Sequence, residues 1–101
     1  MGKVVVCEHM QKLRNWLDQY KIPWFDFSDE MSEKMYICRT KIEYRGHILS
    51  VINGYGTYGG FTDYMKPEQN VGLLEFRIDK NEPEGCLKWA DVAQKISQIK
   101  D

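Results

Sequence analysis

The sequence lacks an excess of charge of either sign. Its 101 residues include 14 Lys and Arg and 15 Asp and Glu, so the formal net charge is −1. A protein that binds nucleic acid along its backbone usually has a positive excess, because each neutralised phosphate needs a Lys or an Arg. Mimicry of DNA would need a marked acidic excess. The balance therefore argues against general nucleic-acid binding and against a DNA mimic.

Cysteine and long apolar runs are also scarce. The three cysteines, Cys7, Cys38 and Cys86, are odd in number and include no Cys-x-x-Cys pair. This pattern argues against a secreted disulfide scaffold and favours reduced, mostly buried thiols. The valines at 4–6 form too short a run for the apolar region of a signal peptide, and no stretch reaches the ~20 apolar residues of a membrane span. We therefore expect a cytoplasmic protein without a membrane partner.

The composition that remains is typical of one folded domain. Hydrophobic residues make up 43% of the chain and aromatic residues 13%, which argues against disorder. A chain of roughly 100 residues can bury about two-thirds of its unfolded surface. No linker, repeat or low-complexity tract interrupts the sequence, so a single domain over residues 1–101 is expected.

Two segments have the apolar spacing of amphipathic helices. The first helix is predicted over about residues 5–20, and the second over 88–99. Lys88 occupies the position where Ser, Thr or Asp would cap the second helix, so that helix has no evident N-cap. The apolar stripe of the first helix comprises Val6, Met10, Leu13, Leu17 and Tyr20, and that of the second Trp89, Val92, Ala93, Ile96 and Ile99.

Between the helices the pattern changes to alternation, which predicts strands over Met35–Tyr44, His47–Asn53 and Leu73–Ile78. Arg45-Gly46 is a two-residue hairpin signal between the first two. The short aromatic run Trp24–Phe27 is a plausible fourth, edge strand, and residues 81–85 are expected to form a turn. The predicted fold is therefore α+β: an antiparallel meander of three to four strands, flanked by an N-terminal and a C-terminal helix on one face.

The most distinctive segment is the Gly–Tyr loop, NGYGTYGGFTDY, which spans residues 53–64. Residues 54–59 match Gly-x-Gly-x-x-Gly literally, but a dinucleotide-binding fingerprint must open a helix within a βαβ unit. The segment from Gly60 to Val71 contains Pro67 and is too short for a crossover helix. A Walker A motif is also excluded, because no Gly-Lys-Ser/Thr is present.

The loop is nevertheless the best candidate for a binding site. Backbone N–H groups near Gly56, Gly59 and Gly60 could form an anion-binding nest, and tyrosine rings could stack on a base. Arg39 is expected near the loop and could supply charge. The alternative is a purely structural turn whose tyrosines pack on the core. The complete predicted site is Arg39, Asn53, Gly54, Tyr55, Gly56, Thr57, Tyr58, Gly59 and Gly60.

No convincing catalytic set or metal site is present, so no enzyme activity, cofactor or metal is expected. His9 and His47 are far apart in sequence and have no zinc-ligand spacing. A nuclease-like set of Asp63, Glu75 and Arg77 is more readily explained by side chains on the solvent face of a strand. The acidic group Asp26, Asp29, Glu30 and Glu33 lacks the spacing of an EF-hand and is expected to be a solvated turn.

Several motifs together resemble a family of small phage and prophage proteins that are largely described as hypothetical. The segments that carry the resemblance are Ile37–Thr40, Tyr44–His47, Ser50–Gly60 and Gly72–Glu75, and it extends to Trp16-Leu17, Trp24, Asp26–Ser28 and Pro83–Val92. Members of the family carry Trp-Leu-Thr before the last helix, where this chain has Cys86-Leu87-Lys88. The resemblance implies a phage setting, and hence the host cytoplasm, more than it implies an activity.

Two binding functions fit such a setting. The first hypothesis is a non-enzymatic counter-defence protein that sequesters a small phosphorylated, nucleotide-like ligand through the Gly–Tyr loop and Arg39. The second is a protein–protein inhibitor of a host defence protein that uses the same loop. A small metal-dependent nuclease is a third, weaker alternative. Because a domain of this size rarely encloses a nucleotide alone, a homo-oligomer with the loop near the subunit boundary is also predicted.

Overall fold

The structure, a computed structural model, describes residues 6–28 and 36–100 of the chain. Within these residues the chain forms one helix, then one sheet, then a second helix, and the strands neighbour one another in sequence order without a crossover connection. The elements are α1 (Glu8–Gln19), β1 (Trp24–Asp26), β2 (Cys38–Tyr44), β3 (His47–Asn53), a 3₁₀ turn (Pro67–Gln69), β4 (Leu74–Ile78), β5 (Glu84–Leu87) and α2 (Trp89–Ser97). The predicted α+β class is thus confirmed, and no α-helix forms over residues 60–71.

The sheet is an antiparallel meander in the order β1-β2-β3-β4-β5. β2 and β3 are paired along their full length, from Cys38 opposite Asn53 to Tyr44 opposite His47. Their connection is the predicted two-residue turn at Arg45-Gly46. β1 is the predicted edge strand. Met35, the predicted start of the next strand, lies outside the described residues. So do Asp29, Glu30 and Glu33, three members of the acidic group that was expected to form a solvated turn.

The fifth strand, Glu84–Leu87, was not predicted and extends the sheet beyond the three or four strands expected. Its pairing with β4 is irregular, with a register shift between Leu74 and Phe76. Cys86 has a positive φ of 57°, which breaks the regular alternation by which strands are recognised. The sequence therefore predicted only a turn in this region.

Both helices pack on the same face of the sheet, which we call the covered face. The alternation along β2 places Cys38, Thr40 and Ile42 inward, and all three are buried. The buried apolar cluster combines these strand residues with helix residues and comprises Met10, Leu13, Leu17, Cys38, Ile42, Leu49, Val51, Leu74, Phe76, Val92 and Ile96. The opposite, open face carries Arg39, Lys41, Ser50, Ile52, Glu75 and Arg77 and has neither helix over it.

Arg14 lies outside the apolar stripe that was predicted for α1, yet it is buried. Its side chain is buried between α1 and β2, and its relative exposure is 5%. Nε donates to Thr40 Oγ1 at 2.9 Å, and the guanidinium lies 4.6 Å from the centre of the Trp24 ring. Because each polar contact comes from the sheet, helical periodicity alone could not identify Arg14 as an inward residue.

Candidate functional site

The Gly–Tyr loop is anchored by Asn53, the last residue of β3, which is fully buried. Its Nδ2 group donates to Leu73 O at 2.8 Å and to Asn70 Oδ1 at 3.0 Å. Asn70 Nδ2 donates back to Asn53 Oδ1 at 2.7 Å, and Asn70 Oδ1 accepts the Gly72 N–H at 2.8 Å. This buried amide pair ties the start of the loop to its return segment, so Asn53 has a structural role.

The first half of the loop is held by Thr57 and by close backbone packing. Thr57 Oγ1 accepts the Gly54 N–H at 3.0 Å and donates to Gly54 O at 2.9 Å. A Cβ on Gly60 would collide with Gly54 O, and a Cβ on Gly54 would collide with Tyr36 O. Glycine is required at these two positions because the chain crosses itself closely there.

Two of the three amides predicted to form an anion nest already have partners inside the loop. Gly56 N–H donates to Phe61 O at 2.9 Å, and Gly60 N–H donates to Thr57 O at 3.1 Å. An anion at this position would have to compete with both bonds. The arrangement of the loop amides therefore favours a self-contained turn, and anion binding by the nest stays a prediction.

The loop tyrosines lie in two different places. Tyr55 belongs to a cluster of four rings with Tyr36, Phe61 and Tyr64, whose centres lie 5.3–6.1 Å apart in the contacting pairs. Such edge-to-face contacts are stabilising. Tyr55 is thus packed in the way the structural alternative requires, although it remains only half-buried.

Tyr58 lies on the other side of the loop, against β4 and β5. Its N–H donates to Glu75 Oε1 at 3.0 Å, its carbonyl accepts the Cys86 N–H at 3.0 Å, and its side chain covers Gly85. The side chain is 62% exposed. Tyr58 is therefore exposed enough to contact a ligand, whereas Tyr55 packs in the ring cluster.

Arg39 is near the loop in register, as predicted, because it pairs with Ile52, the residue before Asn53. Its side chain, however, projects to the open face, whereas Asn53 points to the covered face. Arg39 Nε is shielded from solvent and has no hydrogen-bond partner among the described residues. Arg39 and Asn53, two residues of the predicted site, therefore lie on opposite faces of the sheet.

A cavity of about 460 Å³ opens beside the ring cluster, at the start of α1. Its lining is largely apolar, and the only charged side chain among the described lining residues is Glu68; the lining residues are Cys7, Tyr36, Phe61, Pro67, Glu68, Asn70 and Gly72. Next to these in sequence lie Met65, 81% exposed, and Val71, 66% exposed. We call the cavity with Tyr64, Met65 and Val71 the loop-side surface.

The two histidines make structural contacts. His9 Nδ1 accepts the Trp89 N–H at 3.2 Å, which supplies the first turn of α2 with an acceptor that Lys88 cannot provide. The Lys88 N–H is bonded to Asp91 Oδ2 at 3.1 Å. His47 Nδ1 lies 2.7 Å from Asp79 Oδ2, and Asp79 Oδ1 accepts the Ile48 N–H. These two bonds lower the pKa of Asp79.

The thiols differ from one another in exposure. Cys38 is buried, Cys7 is half-buried and Cys86 is exposed, so the expectation of buried thiols is confirmed for Cys38 but not for Cys86. Burial raises the pKa of Cys38 to about 11 and also raises that of Cys7. The buried Cys38 thiol is therefore protonated at neutral pH and accepts a bond from Arg14 Nη2 at 3.3 Å.

Two residues of the nuclease-like set, Asp63 and Glu75, accept hydrogen bonds from backbone N–H groups. Asp63 Oδ1 accepts the Met65 N–H within its own turn, and Glu75 holds the Tyr58 N–H. Arg77 lies on the open face of β4. Over residues 6–28 and 36–100, no group of three or more His, Cys, Asp or Glu side chains could hold a metal ion.

Neither described helix is long and apolar enough to cross a membrane. Comparison with known proteins adds no relative: no family model, no curated protein and no solved structure matches the chain. The function is therefore inferred from the geometry and chemistry of the described residues.

Proposed function

We propose that this protein is a non-enzymatic binding protein that engages a protein partner through the loop-side surface. The observation that carries this proposal is the apolar cavity beside the ring cluster. Met65 and Val71, which lie close in sequence to the residues of the cavity lining, are exposed. Exposed apolar patches mark interaction sites on monomeric domains. Aromatic residues and Met are also enriched at protein interfaces.

The chemistry of the cavity favours a protein over a phosphorylated ligand at this surface. Its volume of about 460 Å³ lies within the ~300–1,000 Å³ typical of ligand pockets, but Glu68 would repel a phosphate. A side chain from a partner, such as Leu, Phe or Met, would fill the cavity and remove Met65 and Val71 from water. Tyr64 would then act as a rigid aromatic contact at the centre of the interface.

The role of such binding follows from the resemblance to phage proteins. A small non-catalytic phage protein with an apolar recognition surface fits inhibition of a host defence protein, and we propose that class of partner. A homo-oligomer with the loop near the subunit boundary belongs to the same proposal. Light scattering at high micromolar concentration tests it, and a strictly monomeric protein would count against it.

The unpartnered Nε of Arg39 supports the small-ligand hypothesis. This group lies on the open face, and Arg39 is not among the residues that line the cavity. A phosphorylated ligand at Arg39 would therefore use a different surface from the protein partner. The two hypotheses can be tested with separate sets of variants.

The partner hypothesis is tested with two matched variants in defence-positive cells. Met65→Asp introduces a charge on the loop-side surface, whereas Ile48→Asp introduces the same charge on the open face, where Ile48 is 49% exposed. Affinity capture followed by native mass spectrometry should recover one stoichiometric partner with the wild type and with Ile48→Asp. Met65→Asp should lose it.

Both variants should retain the wild-type melting temperature, because exposed substitutions change stability by only about 0.5 kcal/mol. A partner that is lost with Ile48→Asp and kept with Met65→Asp would overturn the assignment of the surface. Absence of any stoichiometric partner from cells with and without defence systems would overturn the proposed function.

A further inference from the structure

The open face carries three cations around one hydroxyl group. In the register of the sheet, Lys41 is opposite Ser50, and Ser50 is opposite Arg77. Neighbouring strands are about 4.8 Å apart, so the Cα atoms of Lys41 and Arg77 are about 10 Å apart with Ser50 between them. Arg39 precedes Lys41 by two residues and therefore lies on the same face, diagonal to Ser50.

The exposure of these side chains suits a site for an anion. Ser50 and Arg77 are exposed, and Lys41 and Arg39 are half-buried. Arg39 Nε is withdrawn from solvent without a partner among the described residues. An unbonded guanidinium N–H is costly to bury, and a phosphate oxygen is the kind of acceptor that Arg binds through forked bonds.

The carboxylates on this face do not cancel the three cations. Glu43 Oε1 lies 4.0 Å from Lys41 Nζ, a separation at which an exposed pair contributes little. Glu75 is separated from Arg39 by Ile52 in the register of the sheet. On this face of β2, β3 and β4, three cations therefore stand against two carboxylates, Glu43 and Glu75. The charge around Ser50 is therefore positive, although the whole chain is close to neutral.

We propose that Arg39, Lys41, Ser50 and Arg77 bind the phosphate group of a small phosphorylated ligand. The groove over Arg39, Lys41 and Ser50 has a volume of about 160 Å³, which is below the ~300 Å³ of a complete ligand pocket. Arg77 is not part of the lining and lies beside Ser50 on β4. The groove accommodates a phosphate, and the remainder of the ligand lies across the face. This site is independent of the loop-side surface proposed for a protein partner.

An aromatic ring beside the groove indicates the rest of the ligand. Phe27 is 56% exposed, lines the groove, and has its ring centre 5.3 Å from Lys41 Nζ. A ring that is open to solvent next to a phosphate site can stack on a nucleobase. A mononucleotide matches both features, with its phosphate at Ser50 and its base on Phe27.

The test uses the full chain, labelled with ¹⁵N and titrated at low ionic strength with inorganic phosphate, adenosine monophosphate and adenosine. Phosphate and the nucleotide should give saturable amide shifts at Lys41, Ser50 and Arg77, and adenosine should not. The nucleotide should bind more tightly than phosphate, and Phe27→Ala should remove the difference.

Charge-matched variants separate a local site from a general effect of charge. Lys41→Gln and Arg77→Gln should each weaken nucleotide binding about ten-fold, the effect of one charge-assisted hydrogen bond. Lys12→Gln makes the same change in net charge on α1, where Lys12 pairs with Glu8, and should leave binding unchanged. Neither open-face variant should affect capture of a protein partner.

Three results would overturn the site. These are the absence of saturable shifts with phosphate and nucleotide at millimolar concentration, an equal loss of binding in Lys12→Gln, and shifts that map to the Gly–Tyr loop instead. Affinity for oligonucleotides that rises with their length would overturn the assignment to a small ligand.

Discussion

The two faces of the sheet use the same strands for different purposes. Along β3, Leu49 and Val51 are fully buried on the covered face, whereas Ile48 and Ser50 are exposed on the open face. The covered face holds the helices and the apolar cluster. The open face carries cations, a hydroxyl and half-exposed apolar side chains. Adjacent residues in one strand thus belong to the core and to a candidate binding surface.

The contrast extends to identical residue types. Arg14 is buried on the covered side and is satisfied by Thr40 Oγ1 and by the Arg39 carbonyl. Arg14 also acts on the neighbouring carboxyl group of Asp26. Partial burial by itself would raise the pKa of Asp26, but hydrogen bonds from Ser28 and the charge of Arg14 outweigh burial, and the pKa is lowered. Arg77 on the open face is exposed. A buried cation with several partners is part of the structure, whereas an exposed cation beside others is available for a ligand.

The largest expected difference in stability between the two faces concerns substitutions of apolar residues. Leu49→Ala should reduce the free energy of unfolding by about 2–5 kcal/mol, because it leaves a cavity in the core. Ile48→Ala should change it by about 0.5 kcal/mol or less, as expected for an exposed site. Urea unfolding of both variants measures this. Equal losses would contradict the contrast and would mean that the open face is buried in solution.

The next difference concerns the arginines. Arg14→Ala should lower the free energy of unfolding by about 2–3 kcal/mol, because it removes charge-assisted bonds to Thr40 and the Arg39 carbonyl. Arg77→Ala should stay within about 0.5 kcal/mol of the wild type. Thermal or urea unfolding again provides the measurement. A stability of Arg14→Ala close to wild type would show that the guanidinium is not held between α1 and β2.

A smaller difference is expected for the polar residues of β3. Asn53→Ala should cost about 1–3 kcal/mol, because its partner Asn70 loses a bond in a buried setting. Ser50→Ala should be nearly neutral. Amide exchange sharpens the comparison: in Asn53→Ala, the N–H groups of Val71 and Leu73, which donate to Gly60 O and Gly59 O, should exchange faster. Unchanged exchange there would contradict the anchoring role of Asn53.

The smallest effect is expected at the exposed pair His47–Asp79. The pKa of Asp79 is lowered from 3.8 by the bonds from His47 and from the Ile48 N–H. A carboxyl whose folded-state pKa is lowered stabilises the fold above its unfolded pKa and loses this contribution as pH falls through the folded value. Asp79→Asn should therefore show a shallower loss of stability below pH 3.8 than the wild type. Identical acid limbs would contradict the pairing.

Much of the fold could be predicted from local pattern. The two-residue alternation predicted β2, β3 and β4, because a strand places successive side chains on opposite sides of the sheet. Arg45-Gly46 also set the hairpin. β5 could not be predicted in this way, since a bulge and a positive φ at Cys86 remove its alternation.

The candidate site was less predictable, because it depends on contacts between distant segments. The sequence predicted Arg39 near the Gly–Tyr loop, and the structure pairs it with Ile52, the residue before the loop. It could not show that the N–H groups of Gly56 and Gly60 would form hydrogen bonds within the loop. Nor could it show that Tyr55 would pack in the ring cluster while Tyr58 would pack against β4 and β5. These features depend on how residues 60–73 return across the loop.

Hydrophobic periodicity by itself thus determined the class of fold and the order of α1, β1 to β4 and α2. Tertiary structure alone decided the positions of the polar side chains that support them. His9, on α1, supplies the acceptor that α2 lacks at its N-terminus, and Arg14 is satisfied by β2. The physical reason is separation along the chain. Periodicity is a property of residues that are close in sequence, whereas the hydrogen bond between His9 and Trp89, which are 80 residues apart, forms only once the elements have packed.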